Sequence, residues 1–374
     1  MPVDFRTRRE SLRRLLSERE LDAILVTDLL NIRYLTGFTG SNAALVVSAS
    51  DSASDERETV ICTDGRYVTQ VSEQVPDLRA EIARSSAAHL IEKSTAPVLA
   101  FESHVATFAE HRAWTEAAPK IRFEPVSGLV EQLRMVKDEY EVELLRAACT
   151  AADVALAQLI ARGGLRPGRT EREVGRELEN LMLDNGADGI SFETIVAAGA
   201  NSAIPHHRPT DAILASGDFV KLDFGAQVGG YHSDMTRTYV LESVSDWQRE
   251  IYELVARSQA AGCDALAPGV ECAAVDAVAR AVIDDAGYGE LFLHGLGHGV
   301  GGLEIHEAPG GIGKLGTGTL LSGAAVTVEP GVYFSGRGGV RIEDTLVVRE
   351  QGARAAHTDR KSPYRRLRRF PDPP

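Results

Sequence analysis

The chain has 374 residues, 44% of them hydrophobic, and a formal net charge of −14. Acidity on that scale excludes a general binder of nucleic acid or anionic membrane, both of which need basic surface. The length exceeds what one compact core usually holds, so two domains are expected, with apolar residues enough for each.

Residues 1–20 are charged throughout, without the basic-then-apolar order of a secretion signal, and no stretch reads as a membrane span, so a cytoplasmic protein is expected. A charged helix is predicted over residues 8–19, then strands at 23–26, 43–47 and 59–63, with a turn-rich passage over 31–42 and a polar surface loop over 51–58. Short strands at 98–101 and 121–125 continue the alternation of helix and strand that marks an open α/β sheet. From Met135 the texture changes, and a domain boundary is placed there. Residues 137–162 form a long amphipathic helix, with Val142, Leu145, Ala148, Ala152, Leu156 and Leu159 at helical spacing. Capping-box pairs, Thr170 with Glu173 and Ser245 with Gln248, start two more helices, and a fourth is predicted over 273–286. Cys62, Cys149, Cys263 and Cys272 are scattered with no CxxC spacing, which predicts free buried thiols rather than disulfides or a thiolate zinc site. The Arg- and Pro-rich stretch 360–374 reads as a disordered basic tail.

Five residues of the second half carry the chemistry: Asp223 in VKLDFGA, Asp234 in YHSDMTRT, His298 in HGLGHGVGG, Glu329 in TVEPGVY and Glu343 in VRIEDT. Carboxylates with an imidazole suit divalent cations, and four negative charges balance two such ions. Residues 218–240 read as a hairpin about Gly229-Gly230. A turn centred between Val228 and Gly229 sets Asp223 opposite Asp234, a like-charge pair that calls for a cation between them. A second hairpin is predicted from strand 326–333, turn 335–339 and strand 340–348, with Glu343 close to Glu329. A single Asp or Glu in a strand is most often solvated. These acids instead sit among apolar residues and glycine. No GxSxG elbow and no HExxH helix is present, which excludes the usual serine hydrolase and single-zinc protease signatures.

The ordered set Asp223, Asp234, His298, Glu329 and Glu343 resembles the dinuclear metal site of the metallopeptidases that include aminopeptidase P, prolidase and methionine aminopeptidase. The segments DLLNIRYLTGFTGSNAALVV and TDGRY resemble the creatinase-like N-terminal domain of the Xaa-Pro branch. The resemblance implies an α+β protein: a creatinase-like α/β domain over 1–134, then a pita-bread catalytic domain over 135–359 built of two helix-plus-hairpin halves. It implies two divalent ions, Mn²⁺ first, with Co²⁺, Zn²⁺ or Fe²⁺ compatible with the ligands. In that scheme Asp223 chelates one ion, Asp234 and Glu343 bridge the pair, and His298 and Glu329 complete the other shell. Glu329 also takes the proton of the bridging water. His206 in SAIPHHRPT and His306 in LEIHEAP match substrate-contacting histidines, His206 ranking ahead of His207. Arg341 matches an arginine beside the bridging acid, and His294 is read as supporting or structural.

The implied substrates are short peptides with an N-terminal Xaa-Pro, with no nucleic-acid or membrane partner, and a homodimer is compatible with the resemblance. Two departures stand out. Gly301-Gly302 adds a residue between His298 and His306, which a bulge could absorb. The run from His306 to Gly311 lacks the arginine with which many prolidases hold a dipeptide's carboxylate, and this tilts the expectation toward an Xaa-Pro aminopeptidase, with an Xaa-Pro dipeptidase as the alternative. A pita-bread binding module without catalysis is a distant third, since all five ligands are kept. Creatinase-type chemistry without metal is disfavoured on the same ground.

Overall fold

The computed structural model describes residues 3–52, 54–300, 302–350 and 354–355; the basic stretch 360–374 lies outside the described residues. The chain divides into two compact units, Met1–Arg134 and Met135–Pro374.

The first unit runs α1 (Phe5–Glu18), β1 (Ala23–Val26), α2 (Leu29–Thr36), β2 (Ala43–Ser48), β3 (Val60–Thr63), α3 (Val68–Gln74), β4 (Arg79–Ile82), α4 (Ser86–Lys93), β5 (Val98–Glu102), α5 (Phe108–Ala117), β6 (Arg122–Val126) and α6 (Leu129–Arg134). The strands form one mixed sheet in the order β4-β3-β2-β1-β5-β6. Its apolar face, with Leu25, Ala44, Cys62, Leu99 and Phe101, packs with Leu90 and Trp114 of the helices. The expected turn-rich passage is in its first part a helix. Asp28 caps α2 by accepting from the amides of Leu30 and Asn31, and Gly37 ends it in the left-handed region at φ 82°, the signature of a short helix with proper stops at both ends. The 51–58 loop is also more than a solvated surface. Its Glu56 side chain is 5% exposed and pairs with Arg9 at 2.6 Å and Arg13 at 2.7 Å.

The second unit opens with α7 (Glu139–Ala161) and α8 (Glu171–Asp184), each started by a complete capping box, Asp138 with Glu141 and Thr170 with Glu173. By length and composition α7 is long and apolar enough to cross a membrane, contrary to the sequence reading. Its apolar side is buried: Ala151, Ala152, Ala155, Leu156 and Leu159 share a core with Leu178, Leu181 and Met182 of α8. Then follow β7 (Gly189–Ile190), β8 (Ile195–Ala198), β9 (Phe219–Phe224), β10 (Ala226–Val228), β11 (Tyr231–His232) and β12 (Met235–Val240). The second half repeats the plan with α9 (Asp246–Ala265), α10 (Cys272–Asp285), β13 (Gly297–Gly299), β14 (Glu307–Ile312), β15 (Ala325–Val328), β16 (Gly331–Phe334), β17 (Gly338–Arg341), β18 (Asp344–Val347) and β19 (Arg354–Ala355). Here α9 and α10 bury Ile251, Val255, Val275 and Ile283 with Val326, Val328 and Val332 of the hairpin. The unit is therefore two helix pairs, each backing an antiparallel hairpin. All four cysteines are buried and free.

The first hairpin corrects the expected register. Phe224 faces Met235 and Asp223 faces Thr236, and beyond the break Val228 faces Tyr231. The turn is thus centred on Gly229-Gly230, both at positive φ, the two-residue geometry whose twist matches the strands. Asp223 and Asp234 are diagonal neighbours rather than opposed. A slip of two positions preserves the face, because side chains alternate with period two, so the two acids still look the same way. The second hairpin is not continuous. Its ladder pairs Val328 with Asp344 and Gly331 with Arg341 but breaks at residues 329–330 and 342–343, with Glu329 and Glu343 facing each other in the gap.

Candidate metal centre

The break in the second hairpin frees backbone amides to bond elsewhere. Glu329 N donates to Leu296 O at 2.7 Å and Glu343 N to Thr236 O at 3.1 Å. The second bond joins the two hairpins, and it sets Glu343 beside Asp234. Ligand atoms of Asp234, His298 and Glu343 all lie within 4.8 Å of one another. His298 Nε2 is 3.5 Å from both Asp234 Oδ2 and Glu329 Oε1, so Glu329 adjoins the group. Asp223 engages Arg341 Nη2 instead, while its other oxygen, Oδ1, is buried with no hydrogen-bond partner.

The chain holds these donors in place with threonines and an arginine. Thr236 Oγ1 donates to Glu343 Oε2 at 2.7 Å and accepts from Arg341 Nε at 3.0 Å. Thr345 Oγ1 bonds to the carbonyl of Asp234 at 2.9 Å, and Thr327 Oγ1 accepts the amide of His298 at 3.0 Å. His298 Nδ1 lies 3.0 Å from Gly299 O. Only a protonated Nδ1 can use that carbonyl, which turns Nε2 toward the acids as the nitrogen that a metal would take in exchange for its proton. Arg341 is 2% exposed, so a strand-surface role is excluded. It also donates to Tyr333 OH at 2.9 Å and lies 3.9 Å from Glu329.

The electrostatics match a cation site. Burial pushes Asp234 up to about 6, with the Asp223 charge adding and the His298 hydrogen bond opposing. Burial likewise lifts Glu329 to about 7 against His298 and Arg341. Glu343 is held far above the carboxylate range by burial and then by Asp234, Glu329 and Asp223. Burial acts to lower His298, yet its contacts with Asp234 and Glu329 win and raise it to about 9. Packing four acids with one arginine and one histidine leaves uncompensated negative charge, the condition a divalent ion relieves. The orphaned Asp223 Oδ1 and the Nε2 of His298 turned toward the acids fit such an ion.

Two histidines stand at the rim. His306 is exposed and stacks edge-on to His298 at 4.2 Å between ring centroids. Desolvation, then the charges of His298 and His206, lower its pKa, which places His206 within electrostatic reach of it. His206 is exposed and His207 is buried. The division has a cause: buried Glu171 accepts from His207 Nε2 at 2.8 Å, Ala198 N at 2.8 Å, Asn201 Nδ2 at 2.9 Å and Thr210 Oγ1 at 2.7 Å. Burial alone would raise Glu171, but these bonds outweigh it and keep it ionised. His207 thus anchors the loop that presents His206. His294, whose Nε2 lies 2.8 Å from Tyr333 OH, is a neutral base at physiological pH, since burial and the Arg341 charge lower it to about 4. Sequence reading missed Thr236, Thr327, Thr345 and Tyr333. Their signal was alternation alone, for Thr236 lies two residues after Asp234 and Thr327 two before Glu329.

Two helix-plus-hairpin halves closing on a buried acid cluster define the pita-bread metallopeptidase class, and the chain belongs to metallopeptidase family M24, whose model matches residues 143–350. The creatinase/prolidase N-terminal domain model matches residues 8–136. The protein is accordingly a hydrolase of a family that works with divalent metal. Among relatives, it is 33% identical to an Xaa-Pro dipeptidase of Pyrococcus furiosus, over 96% of this chain and 99% of that protein. The structure of an Xaa-Pro dipeptidase from Bacillus anthracis superposes with TM-score 0.88 at 38% identity, covering 95% of this chain and 98% of that one. An X-Pro aminopeptidase from Thermotoga maritima gives TM-score 0.83 at 32% identity, covering 94% and 97%.

Proposed function

We propose that this protein is an Xaa-Pro dipeptidase that hydrolyses the bond between an N-terminal residue and proline. The observation that carries the chemistry is the convergence of Asp234, His298 and Glu343, with Glu329 alongside, on one buried point. The substrate class is supported by the two dipeptidases similar to this chain over nearly its whole length. That support outweighs the aminopeptidase expectation, which rested on one missing arginine in the run His306 to Gly311. The aminopeptidase reading keeps two observations in its favour, the missing arginine and the Thermotoga relative.

In this reading Asp223, Asp234, His298, Glu329 and Glu343 hold two divalent ions, Mn²⁺ ahead of Co²⁺, Zn²⁺ and Fe²⁺. Such ions would supply a Lewis acid for the scissile carbonyl and a hydroxide-like nucleophile at neutral pH. The chain's own residues do the rest. Arg341 fixes the Asp223 carboxylate in orientation, and Thr236 does the same for Glu343. Glu329, beside the attacking water, takes a proton from it and returns it to the proline nitrogen as the bond breaks. That nitrogen belongs to a tertiary amide and carries no N–H, so recognition falls on the free amine and the ring. His206 and His306, exposed at the rim, contact the substrate from the solvent side.

A panel of Ala-Pro, Ala-Pro-Ala-Lys and Ala-Ala-Ala-Lys, assayed by mass spectrometry with Mn²⁺ and with chelator, tests the reading. Preferred cleavage of Ala-Pro is expected. Preference for the longer proline peptide would make the enzyme an aminopeptidase, and no cleavage of any peptide by metal-loaded protein would remove the peptidase assignment.

A further inference from the structure

Outside the metal centre, among the described residues, the second unit holds an ion pair sealed from solvent. Lys137 Nζ lies 2.9 Å from Glu307 Oε2, with the side chains 0% and 4% exposed. Taking both charges out of water costs more than pairing them returns, so such a pair is a poor device for stability alone. Its placement is informative. Lys137 sits just before the capping box of α7, its amide bonds to Gly323 O at 3.0 Å, and its neighbour Val136 bridges to Ala324. Residues 323–324 lead into β15, and Val348 N bonds back to Ala324 O at 2.8 Å. Lys137 therefore stands on the frame of the hairpin that carries Glu329 and Glu343.

Its partner belongs to the loop beside the centre. Glu307 follows His306 directly, and its Oε1 accepts the amide of Glu304 at 3.2 Å. Gly302 packs against the same carboxylate so closely that a Cβ there would stand 1.8 Å from Glu307 Oε2. The carboxylate is the plug around which the loop folds. The strand pairing beside it is irregular: His298 faces Gly311, but Gly299 faces Glu307. A bulge over residues 308–310 leaves few ladder bonds to fix the loop. Glu307 is the first residue of β14 and His306 is the bend residue just before it, so holding the Glu307 side chain inward fixes the backbone from which His306 stands edge-on to His298 at 4.2 Å.

We propose that Lys137 is a positioning residue for the reaction: through its buried pair with Glu307 it ties the His306 loop to the hairpin frame and fixes where the His306 imidazole stands over the metal centre. This rests on the peptidase reading above, and it adds a residue 169 positions from the histidine it serves, in a segment with no part in the ligand set.

The test compares metal-loaded wild type with K137M, K137R, H306A and the K137M/H306A double variant on the best Xaa-Pro substrate, with metal content and thermal melts recorded. K137M is expected to lower kcat about 10–100-fold, the scale of a misplacement near 1 Å, with metal content unchanged. K137R is expected to recover most of that loss, and in the H306A background K137M is expected to cost less than about twofold more. Independent multiplication of the two effects, or loss of metal from K137M, overturns the proposal. A second readout does not depend on turnover: the His306 ring NMR signal, assigned by its absence in H306A, is expected to move in K137M and return in K137R. An unmoved signal also overturns it. If K137M does not fold, E307Q takes its place with the same expectations. An inactive wild type with the expected NMR response would sink the peptidase reading while leaving the positioning of His306 intact.

Discussion

Glu56 in the first unit and Glu343 in the second are both buried acids, and their surroundings treat them in opposite ways. Glu56 is met by two guanidinium groups, with Arg9 bonding both its oxygens at 2.8 and 2.6 Å and Arg13 adding a third bond at 2.7 Å. Burial raises its pKa, but those bonds outweigh burial and hold it below the ordinary value. Glu343 receives one threonine hydroxyl and faces three other carboxylates. The first acid is neutralised by the fold and pins a loop. The second is left in debt, and only a cation from outside can settle the balance. Unrelieved charge in a protein interior is thus a better pointer to function than burial itself.

The contrast can be broken from either side. The largest effect is expected at the centre: E343Q should lower kcat/KM on the order of a thousandfold or more, since ion-borne stabilisation of the transition state is worth several kcal/mol. The same substitution removes an acid whose ionisation the metal-free site opposes, so in chelator at pH 8 E343Q should melt above wild type, checked by calorimetry. A lower melt would show that Glu343 is compensated within the fold after all. On the other side, R9M strips Glu56 of its bidentate partner and should cost about 3–5 kcal/mol in urea unfolding of the first unit, while activity per folded molecule stays unchanged.

The smallest effect concerns Glu102, which burial lifts to about 6 although it accepts from the amides of Thr27 and Asp28 and from Asn31. Because its folded pKa is raised, its contribution to stability is intact below its ordinary value of 4.5 and is lost as pH rises through about 6. The loss is about 2 kcal/mol. A denaturation series from pH 4 to 7 should show that slope in wild type, and E102Q should flatten it.

How much of this could be read from the sequence depended on which physical signal each feature leaves. The capping boxes at Thr170 and Ser245 are local chemistry, and both helices start there. The face shared by Asp223 and Asp234 followed from alternation and survived an error in the register, because moving the turn centre by one residue shifts pairing by two. The α2 helix left legible caps at Asp28 and Gly37, but its short length hid them among turn residues. The broken second hairpin, the burial of Arg341 and the reach of Thr236 to Glu343 left no local mark. Each depends on contacts more than 100 residues apart. The choice between dipeptidase and aminopeptidase was weighed on a single side chain, the arginine missing between His306 and Gly311.

The amide of Glu343 is bonded to Thr236 O and its carboxylate to Thr236 Oγ1, across 107 residues of chain. Neither hairpin can therefore assemble the four acids by itself. Loop closure on that scale comes late in folding, after local helices and turns have formed. The separate hairpins thus hold the carboxylates as two pairs, Asp223 with Asp234 and Glu329 with Glu343, before the two halves meet. The repulsion between the pairs arrives only at the docking step, when the pocket that can capture an ion comes into being with it.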